Sequence, residues 1–502
     1  METHSTAMIV NLQALSHVGQ QAFEINLPDK TVFHITEIVR RVPNKRLVCK
    51  GIWKKQPVFS KLFIGERAKH YAQRDSQGVA YLIKANIATP PLLYAGKVEG
   101  VEVLIFQAID VAGNAQERYN NLRLKNNHAD DDQTRLNLMQ QLTKAVAHQH
   151  NAGIIQTDMY LKNFLVKDSV VYSLDGDGIH PLFPIFKQQQ KRRNLATLFS
   201  KMDALDDDWI ASLYEVYSKE ANIAYCASNF IKVWSLTHDI RHQNTSNYAD
   251  KKVFRTCTDV TVSRDFTSFS AIANGFNADN ISLALLDNAL NNSAQLIKNG
   301  NTCTVGKAVI NHQQVVIKRY NFKNMWHSFE LAFRQSRAAK SWANAHRLVL
   351  LNIATPKPVA LVEVRFGFLR RQAYFVNEYC EAPDIAQFFA QTIDTPTKHK
   401  VADEIALMFY KLSLLNISHG DCKASNIKIM AGKPILLDLD SMQAHTFAWW
   451  FEQKHIKDLK RLMRNWAQDA EISAILKHAF VQAYDEIDDY QFAGLLARAG
   501  IA

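Results

Sequence analysis

The sequence predicts a duplicated α+β fold: two domains in tandem, each with a small β-rich lobe carrying one helix and a larger helical lobe. Three observations support it. The stretch TDMYLKNFLVKDSVVYSLDGDG sets Asp158, Asn163 and Asp175 five and twelve residues apart, and HGDCKASNIKIMAGKPILLDLDS repeats that spacing with Asp421, Asn426 and Asp438. The pentapeptide NIATP occurs at Asn86–Pro90 and again at Asn352–Pro356, each time just after a helix-like stretch. The NIATP copies lie 266 residues apart and the acid–amide–acid copies 263. Two markers at so similar an offset indicate a tandem duplication with small insertions, since solenoid repeats have periods of only about 20–50 residues.

Composition agrees with two globular halves. The 502 residues fit two domains of about 250, near the usual domain size. With 47% apolar and 21% charged residues, each half can bury a core, and the few glycines and prolines argue against extended disorder. Six scattered cysteines form no C-x-x-C pair, which argues against a disulfide framework and a zinc site. METHSTAMIVNLQALSHVGQQ has no basic segment leading into an apolar core, and no run of about 18 apolar residues occurs. A soluble protein in a reducing cytoplasm is expected. The net charge of +11 points to an anionic partner. Basic residues cluster at Lys187–Arg193, Lys318–Lys323 and His455–Arg464, and helical spacing puts Lys457, Lys460, Arg461 and Arg464 on one side, where an anionic surface can bind.

In chain order, the first domain (residues 1–250) offers a β-hairpin at RRVPNKR (Arg40–Arg46) and an apolar strand, QPVFSKLF, bearing Lys61. A helix with Asp75 precedes NIATP; then come the Asp158 loop, the strand Val170–Leu174 ending on Asp175, and the helical RNLATLFSKM. The second domain (275–502) repeats the order with the hairpin KNGNTCTVGK, the strand QQVVIKRYN bearing Lys318, NIATP, the Asp421 loop, the strand Pro434–Leu437 ending on Asp438, and LKRLMRNW. Lys61 precedes Asp158 by 97 residues and Lys318 precedes Asp421 by 103. The polar stretches His242–Lys252 and Asn274–Asn280 contain or flank the junction.

These parts meet the needs of phosphoryl transfer: a carboxylate for the accepting hydroxyl, oxygen ligands for a metal, and a cation for the nucleotide phosphates. In the protein-kinase arrangement, Asp158 and Asp421 are the catalytic acids, and Asn163, Asp175, Asn426 and Asp438 hold Mg²⁺. Lys61 and Lys318 clamp ATP, and Asp75 pairs with Lys61. Counting back from the second NIATP, the place of Asp75 falls on Ser341, so either Glu330 substitutes or Lys318 works unpaired. Lys423, two residues after Asp421, is placed to contact the transferred phosphate, with Lys162 its counterpart. Asp177 and Asp440 are second metal ligands or turn residues, and His150 and His419 brace backbone. The tryptophans at 326, 342, 449, 450 and 466 are core or interface anchors rather than sugar platforms.

Several departures narrow the class. Neither half has G-x-G-x-x-G; the Arg of H-R-D is Thr157 in one and Gly420 in the other; the Gly after the metal acid is kept as Gly176 but becomes Leu439. Without that Arg, a phosphorylated activation loop loses its anchor, which favours a constitutive enzyme. No A-P-E follows Asp175 or Asp438, and the short remainder of each half leaves little room for a peptide-docking platform.

With KLF, RDSQG, ATPPLL and HNAGIIQTDMYLKNFLV in the first half, and NGNTCTV, IKRYN, SRAAKSWANAHRL, TPKPVALVE and HGDCKASN in the second, the chain resembles the bacterial lipopolysaccharide core kinases, the Kdo/heptose kinase family. The resemblance covers nearly the whole chain. It implies a duplicated protein-kinase-like fold, ATP and Mg²⁺ as cofactors, and an anionic glycolipid or sugar as acceptor. It implies phosphorylation of a heptose or Kdo hydroxyl of the inner core, with the protein cytoplasmic or peripheral at the cytoplasmic membrane face and no nucleic-acid partner. Two other readings stand beside it: a protein or small-molecule kinase, and a pseudokinase scaffold with one or both domains inactive.

Overall fold

The computed structural model describes residues 22–42, 45–124, 128–276, 281–292, 296–321, 335–367, 369–485 and 494–502. Chain contacts divide it into two units, Met1–Met202 with Trp209–Ile240, and Asp203–Asp208 with Arg241–Ala502. The polar stretch from His242 to Asp250 continues the helix Ala227–Asp250.

The first unit opens with a six-stranded antiparallel sheet. Its spatial order is Phe23–Asn26, Val32–Val42, Arg46–Trp53, Gln56–Phe63, Val101–Gln107, Leu92–Val98. Alternation in Gln56–Phe63 turns Val58, Ser60 and Leu62 to one face, packed on Phe33, Leu47 and Val103, and leaves Lys61 on the other. That other face receives the helix Ala68–Lys84, whose buried Ala68, Ala72, Asp75, Val79 and Leu82 recur at helical spacing. A buried carboxylate in this stripe needs a charged partner. The helical lobe gathers around Met139, Leu142, Phe164, Leu195, Phe199 and Leu213.

The second unit has a seven-stranded sheet in the order Val260–Arg264, Ser268–Ala273, Pro358–Phe366, Leu369–Glu378, Gln313–Tyr320, Cys303–Ile310, Leu296–Asn299. The lysine strand has the same neighbours as in the first unit: a hairpin partner on one side, and on the other the second strand of the hairpin that follows the helix. The additional strands lie at opposite edges of the two sheets, Phe23–Asn26 in one and the Val260–Ala273 hairpin in the other. The helix Arg337–Leu350 is capped by Ser336, whose Oγ accepts from the Ala339 N–H at 3.0 Å. Trp342 is fully buried in this unit's core, which also contains Phe409, Phe451 and Phe480. Each unit is thus a protein-kinase-like α+β body with a strand-rich N-terminal lobe and a helical C-terminal lobe.

The NIATP repeat has a structural cause. Asn86 (φ 55°) and Asn352 (φ 54°) end the preceding helices in the left-handed region, which asparagine tolerates well. The following Ile87 and Ile353 N–H groups return to the Leu82 and Leu348 carbonyls, both at 2.9 Å. Ala and Thr then tie the helix end to the strand that leads into the metal acid. Ser173 and Leu436 donate to the Ala88 and Ala354 carbonyls, both at 2.9 Å, and the Thr89 and Thr355 hydroxyls donate back to Ser173 and Leu436 at 2.9 and 2.8 Å.

Candidate active sites

In the first unit, the side chains singled out in the sequence converge at one place. Lys61 Nζ donates to Asp75 Oδ2 at 2.5 Å and to Asp175 Oδ1 at 2.9 Å. Burial opposes charge on Lys61, but the two carboxylates outweigh it and raise its pKa. Burial likewise pushes Asp175 up, yet Lys61 and Arg46 overcome this and hold it ionised, well below the usual carboxylate range. Arg46 lies in the hairpin expected over the phosphates, 3.4 Å from Asp175. Asp75 is fully buried, and burial raises its pKa against the pull of Lys61.

The helix reaches the lysine because two glycines let backbones touch. A Cβ on Gly78 would meet the Gly176 carbonyl oxygen at 1.8 Å, and one on Gly176 would meet the Asp75 carbonyl oxygen at 2.1 Å. Asp175 takes φ 62° at the turn, and Arg74 binds Asp177, its Nε 3.1 Å from Oδ1. Asp177 is therefore held as an ion-pair partner of the helix. The Asp158 loop is closed by Asn163, whose Nδ2 donates to the Asp158 carbonyl at 2.9 Å. Burial, then the nearby Asp175, raise the pKa of Asp158. Lys162 lies over the Tyr160 ring, 4.9 Å from its centroid.

The second unit repeats the loop and changes the lysine. Asn426 Nδ2 donates to the Asp421 carbonyl at 2.9 Å, and Asp438 takes φ 56°. Lys318 binds Asp438 and lies 3.5 Å from Asp440, so it is paired, though by acids of the metal turn rather than of the helix. Ser341 instead hydrogen-bonds the Tyr320 hydroxyl at 2.9 Å; Glu330 lies outside the described residues. Burial would lower the pKa of Lys318, but Tyr320, Asp438 and Asp440 raise it. Arg337 takes Asp440 at 2.7 Å, the counterpart of the Arg74–Asp177 pair from one turn earlier on the helix. At the places of Gly78 and Gly176 stand Asn344 and Leu439, and Asn344 Nδ2 donates to the Leu439 and Met442 carbonyls, both at 2.9 Å. A side-chain bridge thus replaces backbone contact. Lys423 Nζ is 3.8 Å from Asp421, and Arg461 Nη2 is 2.5 Å from Asp421 Oδ1.

Sequence reasoning missed the groups that hold the loops. His419 Nε2 donates to the Leu437 carbonyl at 2.8 Å, and in the first unit Gln156 Nε2 serves the same carbonyl position, Leu174, at 3.2 Å. Asp458 receives the His419 and Gly420 N–H groups at 2.7 and 2.9 Å. At the matching helix position, Asn194 donates to the Gln156 carbonyl at 2.7 Å. His150 braces Asn194 and Tyr217, at 3.0 and 2.8 Å, and burial lowers its pKa to about 4. The spacing of Asn194 and Asp458, 264 residues, was the signal that could have found them.

The donor set fits a hard divalent cation. Asp175 is ionised, and Asn163 and Asn426 use their amide nitrogens on backbone, leaving amide oxygens for a cation. A cation such as Mg²⁺ takes oxygen ligands and keeps several waters, so the Asp175 carboxylate and the Asn163 amide oxygen would suit it as protein ligands.

Lysine strand, Asp–Asn loop and acidic turn recur in both units, with a helix acid on the lysine in the first, an arrangement like that of protein kinases. Residues 288–484 match the model of the lipopolysaccharide kinase (Kdo/WaaP) family. The match lies wholly in the second unit. Similar solved structures include WaaP in complex with acyl carrier protein, at 16% identity and TM-score 0.30, covering 41% of this chain and 86% of that one. The BubR1 kinase domain is similar at 16% identity and TM-score 0.31, covering 47% and 86%. Vaccinia related kinase 3 follows at 11% identity and TM-score 0.27, covering 50% and 81%. No curated protein matches the chain.

Proposed function

We propose that the protein is an ATP- and Mg²⁺-dependent kinase that phosphorylates a heptose or Kdo hydroxyl of the lipopolysaccharide inner core, with the first unit as the main site. The observation that carries this is Lys61 held by the buried Asp75 while touching Asp175. The family match over residues 288–484 supports the acceptor class.

In this reading, Asp158 orients the acceptor hydroxyl and takes its proton. The hydroxyl oxygen bonds to the γ-phosphorus of ATP as the bridging P–O bond breaks, and ADP leaves. Its raised pKa makes Asp158 a better proton acceptor than an exposed aspartate. Lys61, fixed by Asp75, neutralises nucleotide phosphate charge without reorganising. Asn163 and Asp175 would hold Mg²⁺, which supplies charge neutralisation on the phosphates. Asp421, Asn426, Asp438, Lys318 and Lys423 have the corresponding roles in the second unit. There, Arg461 on Asp421 and Ser341 at the place of Asp75 favour a slower site, or one that holds substrate.

An acceptor embedded in lipid places the protein at the cytoplasmic membrane face as a peripheral enzyme; no described helix is long and apolar enough to cross a membrane. Incubation with labelled ATP and deacylated lipopolysaccharide core, followed by location of the label, tests the reading. Label on the sugar supports it. Label on polypeptide, or ATP binding without transfer, overturns it in favour of a protein kinase or a scaffold.

A further inference from the structure

Both units expose large apolar side chains at the same place, from just after the metal turn to the start of the next long helix, the second set reaching into that helix's first turn. In the first, Phe183, Ile185 and Phe186 are 56%, 78% and 53% exposed; in the second, Phe447, Trp449 and Trp450 are 64%, 63% and 50% exposed. The three pairs are each 264 residues apart, the offset that also relates Asn194 to Asp458. The side chains differ while their exposure and bulk persist. Burial of neighbours fixes the backbone beneath them: Leu182 in one unit, Phe451 in the other. Gln190 further ties the first segment, donating to and accepting from the Phe183 backbone at 3.2 and 3.3 Å. The Phe183 and Phe186 rings stack with centroids 6.1 Å apart, and those of Trp449 and Trp450 lie 5.3 Å apart.

Each tip runs into a basic helix. Lys187 and Arg193 are exposed on Lys187–Phe199, and Lys457 and Lys460 on Ala448–Met463. Exposed aromatic and aliphatic side chains beside lysine and arginine suit one environment, the boundary between acyl chains and anionic headgroups. The aromatic side chains enter the interface and the cations stay at the headgroups. The same helices carry Asn194 and Asp458, the braces of the Asp158 and Asp421 loops, so a tip seated in lipid brings a catalytic loop to a membrane-borne acceptor.

We infer that Phe183–Ile185–Phe186 and Phe447–Trp449–Trp450 are a duplicated pair of insertion tips that dock the protein on an anionic lipid bilayer. This extends the proposed function but is tested without nucleotide or acceptor, so either can fail alone. The experiment is sedimentation of the full chain with vesicles of phosphatidylglycerol and phosphatidylethanolamine, and with phosphatidylcholine vesicles as the neutral control. Binding to the anionic vesicles is expected, together with a blue shift of tryptophan emission that the Trp449→Ser/Trp450→Ser variant lacks. Serine at all three positions of either tip should weaken binding about tenfold or more, from the lost apolar area, and leave the melting temperature unchanged because these side chains are exposed. Raising salt should weaken binding without abolishing it. Equal binding to neutral vesicles, unaltered binding by both triple variants, or loss of self-association in lipid-free solution as the only effect of the variants would overturn the inference.

Discussion

Asp158 carries the proposed catalytic role, and its surroundings make that role testable. Burial and the neighbouring Asp175 raise its pKa above the ordinary 3.8, so the folded protein binds this proton more tightly than the unfolded chain does. The stability contributed here falls as pH rises through the raised value, and once ionised the carboxylate costs stability. Asp158→Asn should therefore keep or raise the melting temperature at pH 7 while removing most of the phosphoryl transfer. In the unaltered protein, the acid limb of kcat/KM should lie above the pH range of a free aspartate, because the base must be ionised. A variant that melts clearly lower, or an acid limb at or below 3.8, would count against the assignment. Arg461 gives a second test at this scale. It reads in the sequence as one cation of an exposed helix face, yet it lies on Asp421. With the first site silenced by Asp158→Asn, Arg461→Ala should raise the remaining transfer several-fold, measured as phosphate incorporation; no change would mean that Arg461 does not restrain Asp421.

The acid helix and metal turn show what spacing reveals and what it hides. The triplets were legible because a loop, one 3₁₀ turn and a tight hairpin fix the separation of Asp, Asn and Asp in both units. NIATP was legible as a repeat, although its reason, a left-handed helix end strapped to the next strand, appears only in three dimensions. The pairing of Lys318 with Asp440 was not legible, because it joins residues more than a hundred positions apart that share no motif. Nor was the exchange of Gly78 and Gly176 for Asn344 and Leu439 readable as one event, since each member reads as an isolated substitution. Gly78→Ala tests the contact: its Cβ has no room against the Gly176 carbonyl, so the helix must retreat and draw Asp75 from Lys61. The expected outcome is destabilisation of about 1–3 kcal/mol, as for overpacked cores, together with a fall in transfer greater than stability explains. Chemical denaturation alongside initial rates reads both, and a variant of unchanged stability and rate would contradict the close approach.

At the scale of the molecule, the account is a division of labour between two copies of one fold. The duplication, the lobes and the lysine-to-loop order could be read from sequence, since repeated spacings survive where identities drift. The ranking of the copies rests on contacts. The family match covers residues 288–484, in the unit whose Lys318, among the described residues, pairs with Asp438 and Asp440 rather than with a helix acid, and whose Asp421 carries Arg461. The first unit keeps Lys61, Asp75, Asp158, Asn163 and Asp175 together, and positioning with charge stabilisation supplies most of the rate in phosphoryl transfer. The most direct measurement compares phosphate incorporation into deacylated lipopolysaccharide core by full-length Asp158→Asn and Asp421→Asn proteins of matched melting behaviour. The account predicts that Asp158→Asn removes most of the activity and Asp421→Asn leaves the larger share. An Asp158→Asn enzyme near the unaltered rate beside a silent Asp421→Asn enzyme would contradict it.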